Sequence, residues 1–259
     1  EGLLGRPEGA LDATRMARFA DFALQIRLPP NPMRQLHNAL RANELAGRNL
    51  YFNRDPVDTV ATCNGCHVLL PSAGFFGTSG LTTFENEPQE FKVAHLRNAY
   101  EKVGMFGMAA TDFLSGADHG FKGPQIRGFG FLHDGSVDTV LRFLRATVFS
   151  GLNNDTERAQ LEAFTMVFDS DLAPIVGQQV TIDSTSEAAE LTRLDLLDTR
   201  AGTAFTLPGN VATTECDLVA IGSVGGVVRG YRRNAGGMFV SDRASEAAIT
   251  KAALAGGLA

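Results

Sequence analysis

Cys63-Asn64-Gly65-Cys66-His67 is the stretch from which the rest of this chain is read. Its spacing, C-x-x-C-H, is the pattern of c-type haem attachment. Two thiols separated by two residues can reach the two vinyl groups on one edge of a porphyrin. The next residue, His67, then lies below the ring with its imidazole aimed at iron. Asn64 and Gly65 are small enough for the tight turn this demands. Two other chemistries use a Cys pair. A zinc site needs further ligands, yet the one remaining cysteine, Cys216, lies far along the chain. A thioredoxin-like redox pair sits at a helix start after a strand in a βαβ unit, and no such unit precedes Cys63. One haem c, held by Cys63 and Cys66 with His67 as an iron ligand, is the expectation.

Working outward, the apolar spacing of Met16, Phe19, Ala20, Ala23, Leu24 and Ile26 predicts a helix over 12–28. Asp12 and Thr14 are capping types, and Pro29, Pro30 and Pro32 end it. A second helix is predicted over 42–52, with Gly47 allowing a close approach. Residues 53–90 read as irregular, and glycines recur through 104–130. So long a stretch without periodicity wraps something or carries function. Helices are predicted again over 136–149 and from Asp155 onward, the latter carrying Leu161, Phe164, Thr165, Val167 and Phe168. Residues 175–182 read as extended, 184–200 as helical, and 216–240 as strand and turn. A boundary is placed near 172–177, giving an N-terminal helical segment (1–28), a haem domain (29–172) and a small C-terminal domain (173–259).

The aromatic end of the 42–52 helix and the aromatic helix after Asp155 look like the crossing terminal helices of a cytochrome c fold. The likeness becomes more specific in two segments, Phe91-Lys92-Val93-Ala94-His95-Leu96-Arg97-Asn98 and Phe131-Leu132-His133-Asp134-Gly135-Ser136-Val137. They resemble the F-K-x-P-x-L-R-N … Y-F-H-D-G-S signature of the C-terminal haem domain of the bacterial di-haem cytochrome c peroxidase and MauG-like family. The likeness covers residues 29–172, and three departures matter. Ala94 stands where the signature has proline, residues 105–130 form an insertion, and one C-x-x-C-H is present where a di-haem peroxidase needs two. The resemblance therefore implies a mono-haem relative of the kind that occurs as a module in larger exported proteins. It implies a mainly α cytochrome c fold with long irregular loops wrapping the haem, and the strand-and-turn pattern beyond the match adds a small α+β or β-rich C-terminal domain.

A haem c devoted to electron transfer has both axial positions filled, and Met opposite His raises the potential. Of the six methionines, Met16, Met33, Met166 and Met238 have other readings, whereas Met105 and Met108 lie in a glycine-flanked loop. Met105 is favoured as the second ligand over Met108. His133, in the family's His-Asp-Gly-Ser segment, is the alternative should Met fail, while His37, His95 and His119 read as surface or hydrogen-bonding residues. Arg97 is a candidate to pair with a haem propionate, with an ordinary surface salt bridge as the equal alternative. Cys216 is an odd cysteine, either free or paired beyond these residues.

The composition bounds the function. With 259 residues, 44% hydrophobic and 20% charged, the chain has enough apolar material for a real core. A net charge of -6 argues against nucleic acid or an anionic membrane as partner. No apolar run approaches the length of a membrane-spanning helix. The first residues are neither a signal peptide nor a Met start, so a processed form or a piece of a longer protein is expected. Haem c is attached after export, which places the chain in the bacterial periplasm or outside the cell. Single-electron transfer to a redox partner protein, or to other modules of a larger exported assembly, is the leading expectation. A peroxidase or MauG-like oxidase with an open iron is the enzymatic alternative, and a haem-containing assembly subunit is the third.

Overall fold

The structure, a computed structural model, describes residues 12–68, 81–82, 91–104, 110–111, 114, 128–132, 134–207, 211–224 and 226–257. Asp12 caps the first helix, α1 (Ala13–Leu24), by accepting from the N–H groups of Thr14 and Arg15. The periodicity foresaw this helix, but no residue of α1 is buried, and Phe19, Phe22 and Leu24 are all largely exposed. The second helix, α2 (Ala42–Asn53), is capped from its first turn by Glu44. Glu44, buried, accepts the Arg41 N–H at 2.6 Å and pairs with the Arg41 guanidinium at 2.8 Å.

Two one-turn helices and a 3-10 turn follow: α3 (Cys63–Cys66), the turn Ala99–Glu101, and α4 (Val140–Phe143). Two short strands, β1 (Leu81–Thr82) and β2 (Phe91–Lys92), pair antiparallel between them. The longer helix α5 (Asp155–Met166) is capped by the Asn154 side chain and carries Asp155 and Glu157 in its first turn, where carboxylates favour the helix dipole.

Helices α2 and α5 cross at Gly47. A Cβ there would lie 1.9 Å from the Gln160 carbonyl oxygen and 2.9 Å from Phe164 Cβ. Beside the crossing Tyr51, Phe164 and Phe168 meet edge to face, with centroids 4.9–5.5 Å apart. Leu50, Val57, Leu144, Phe149, Leu152 and Leu161 complete this core. Because the obstacle is backbone, Gly47→Ala has to push the helices apart. It is expected to lower stability by about 2–3 kcal/mol in chemical denaturation. An unchanged midpoint would show that the crossing is looser than drawn.

The end of α5 is strapped by residues distant in sequence. Asn31 Nδ2 donates to the carbonyls of Met166 and Phe168, Arg34 Nη1 to Val167, and Arg97 Nε to Asp169. Carbonyls left open where a helix ends are thereby satisfied.

The last third begins with α6 (Ala188–Ala201), which runs into a hairpin of β3 (Ala204–Leu207) and β4 (Val211–Thr214). A second antiparallel sheet has the order β5 (Val219–Val224), β6 (Val227–Arg233), β7 (Phe239–Ser241), and α7 (Lys251–Gly257) closes the described chain. Tyr231, Phe239 and Leu254 form the core under this sheet. Asp198 on α6 ties the elements together, meeting Arg233 at 2.6 Å and Lys251 at 3.2 Å. Partial burial pulls the Asp198 pKa up, but hydrogen bonds from Arg233 and Lys251 outweigh it and hold the carboxyl below its usual range.

The expectation of a mainly α cytochrome c fold is overturned: the described residues form an α+β mixture with three small antiparallel sheets. The predicted 136–149 helix survives as one turn. Val137 instead pairs with Phe131 as an isolated bridge, Asp138 is buried beside Arg142, and Thr139 caps a helix that stops at Phe143. Ala146, Phe149 and Leu152 then turn inward to the α2–α5 core, so tertiary burial overrides the helical stripe. The expected extended run at 175–182 forms no strand; Ala173 and Ile175 bury against Leu197 in a second core, with Leu36 packed on it.

Candidate cofactor-attachment site

Thr62 opens α3 by accepting the Gly65 N–H on its hydroxyl at 2.9 Å, and His67 N–H closes the turn on the Cys63 carbonyl at 2.8 Å. Gly65 is tightly held: a Cβ there would meet Ala61 Cβ at 2.9 Å. Cys63 is half-buried against the α2–α5 core, and both Cys63 and Cys66 are free thiols.

His67 leaves the helix with φ −97° and ψ 65°, which swings its ring away from the turn. Its Nδ1 lies 2.7 Å from the Ala94 carbonyl. A carbonyl only accepts, so Nδ1 carries the proton and Nε2 keeps its lone pair. Burial pushes the imidazole pKa below its ordinary value despite the opposing pull of Ala94 and Asp58, which keeps the ring neutral. A neutral imidazole fixed through its far nitrogen by a backbone carbonyl is the state in which histidine ligates metals. From the other side, the Tyr51 hydroxyl donates to the His67 carbonyl.

The surroundings of Cys63 disfavour its thiolate. Burial pushes the Cys63 pKa up to about 12, with Asp58 and Cys66 adding to the rise against a backbone hydrogen bond. The attacking sulfur of a reactive C-x-x-C pair needs a depressed pKa. Nor does a zinc-type donor set assemble: among the described residues, no group of three or more His, Cys, Asp and Glu is placed to hold a metal ion.

Arg97 forms a salt bridge with Asp171, buried rather than on the surface. It is buried, with Nη2 2.7 Å from Asp171 Oδ1 and Nε 3.1 Å from the Asp169 carbonyl. Burial lowers its pKa, and Asp171 and Asp169 work against that. The favoured second ligand, Met105, lies outside the described residues, as do Met108, His119 and His133. The feet of that segment are described. Gly104, at φ +111°, donates to the Asp138 carbonyl, while Gly128 and Gly130 donate to the Val103 and Lys102 carbonyls at 2.8 Å. These backbone hydrogen bonds join residues 102–104 to 128–130 and to Asp138. His37 is exposed, with Nδ1 accepting from Ala39, and His95 is exposed as well. Cys216 is a free thiol packed against the second core.

Neither family models, nor curated proteins, nor solved structures match this chain. The family resemblance therefore rests on Cys63–His67 and the two quoted segments alone. Any residue supplies a main-chain carbonyl, so the contact to His67 asks nothing of the Ala94 side chain. The sequence analysis missed the parts played by Ala94 and Tyr51. A carbonyl acceptor has no side-chain signature, and Tyr51 read simply as one aromatic of a helix end.

Proposed function

We propose that the chain carries one haem c, joined by thioethers to Cys63 and Cys66 with His67 as an axial iron ligand, and that it transfers single electrons outside the cytoplasm. The observation that carries this reading is the state of His67. Its Nδ1 proton is committed to Ala94 and its Nε2 lone pair is left for a metal, beside two free thiols at haem-attachment spacing. A haem bound there supplies reversible one-electron exchange at its iron. The protein's part is to fix the ring's edge at two sulfurs, present a neutral imidazole from a defined direction, and back both with the α2–α5 core. Met105 is proposed as the second ligand, which would suit a carrier rather than a site open to peroxide. Partners would be a redox protein or other modules of an exported assembly. No helix among the described residues is long and apolar enough to cross a membrane.

The test uses protein expressed with export in a host that matures c-type haem. Intact mass after denaturation should exceed the polypeptide mass by one retained tetrapyrrole. The ferric spectrum should be low-spin and unresponsive to peroxide or cyanide. The bare polypeptide mass would remove the cofactor and the function together. A retained haem with a high-spin spectrum that shifts with peroxide would replace electron transfer by the peroxidase-like alternative.

A further inference from the structure

Helix α3 is a single turn of four residues, too short to hold itself together. Its geometry has to come from outside. Two contacts bracket His67: Ala94 fixes the imidazole through Nδ1, and the Tyr51 hydroxyl fixes the main chain through the His67 carbonyl.

Tyr51 is suited to be a rigid donor. It is 1% exposed, and its ring sits edge to face with Phe52, Phe164 and Phe168 at centroid distances of 5.1, 5.5 and 5.3 Å. Packing alone would be served as well by phenylalanine, the residue type of its three neighbours. A hydroxyl inside such a cluster is unfavourable unless it is hydrogen-bonded, and its partner here is the backbone of the ligand residue itself.

We infer that Tyr51 is a positioning residue for His67, its hydroxyl anchoring the His67 main chain and through it the orientation of the imidazole. This rests on the proposed haem reading. With the hydroxyl gone, the His67 carbonyl loses its anchor, and the ring pivots about the remaining contact to Ala94.

The experiment compares the haem-loaded protein with Tyr51→Phe and, as a packing control at the same crossing, Phe164→Leu. Amide exchange in the peptide covering residues 62–67 should accelerate at least tenfold in Tyr51→Phe, and the low-spin EPR g-values should shift. Phe164→Leu should accelerate exchange in α2 and α5 while leaving those g-values in place. Unchanged exchange at 62–67 or unmoved g-values in Tyr51→Phe overturns the proposal. So does an equal shift in Phe164→Leu, because the hydroxyl would then have no separate role. Should Tyr51→Phe not fold, 3-fluorotyrosine at position 51, a stronger donor of nearly equal volume, replaces it; unmoved g-values there overturn the proposal in the same way. Intact mass is read first on the wild-type protein. A bare chain defeats the haem reading itself, whereas a haem-bearing wild type with an unaffected Tyr51→Phe defeats only the role of Tyr51.

Discussion

Cys63→Ser/Cys66→Ser is expected to give a chain with no covalently retained tetrapyrrole: the denatured mass falls to that of the polypeptide and visible absorption is lost on denaturing purification. Serine keeps the size of the side chain, so the substitution is mild sterically, but its hydroxyl does not form the thioether. The α2–α5 core is built from residues other than the two cysteines, with Cys63 only packed against its edge. The apoprotein should therefore keep its far-ultraviolet circular dichroism while losing whatever stability the attached group adds. His67→Ala separates the two kinds of bond at the site. It should retain the added mass through the thioethers and lose the low-spin spectrum. Added mass persisting in the double serine variant would place the attachment elsewhere.

Arg97→Met should cost about 3–4 kcal/mol of stability in urea denaturation. The side chains of Arg97 and Asp171 are 7% and 10% exposed, so removing the guanidinium leaves a carboxylate with little water to turn to. Leu28 N–H still reaches Asp171 Oδ2 at 2.7 Å, and this contact softens the loss without replacing the charge. The Asp169 carbonyl also loses its donor. The same loss should appear with and without haem. A loss confined to the haem-loaded protein would instead return Arg97 to the propionate role, and a loss under about 1 kcal/mol would show the pair to be a surface-type contact.

How much of this was legible in the sequence depends on how local the determinant was. Asp12 marked the start of α1 and Gly47 a close approach, because caps and missing side chains act within a few residues, whereas α1 ends at Leu24, ahead of the prolines expected to stop it. The stripe at 136–149 failed for the opposite reason: what decides that segment is the distant α2–α5 core into which Ala146 and Phe149 fold. The β3–β4 hairpin and α7 went unread although local signals were present: β3 alternates in burial and Thr250 caps α7 by accepting the Ala253 N–H. At the candidate site, the residues whose chemistry is in the side chain, Cys63, Cys66 and His67, stood out at once. Their supports did not, since Ala94 acts through its main chain and Asp171 is separated from Arg97 by more than seventy positions. Even the place chosen for a domain boundary reflects this limit, since a change of local character near 172–177 says nothing about which surfaces touch across it.

Those surfaces have a practical consequence for anyone dissecting the chain. Leu36 seats on the cluster of Ala173, Ile175 and Leu197, and Asn38 Nδ2 reaches the buried Glu215 at 3.0 Å, the same carboxylate that Arg200 grips. Cutting after Leu172 to ask whether the tail recruits an assembly partner would strip the cover from Leu36 and take the Glu215 acceptor from Asn38 Nδ2 on the piece that remains. Stickiness newly acquired by such a fragment would then report a wound rather than a docking function. A cleaner dissection leaves the backbone whole and alters the outward-facing side chains of β5 and β6, where Val219, Ile221 and Val228 stand in solvent with no packing role to disturb.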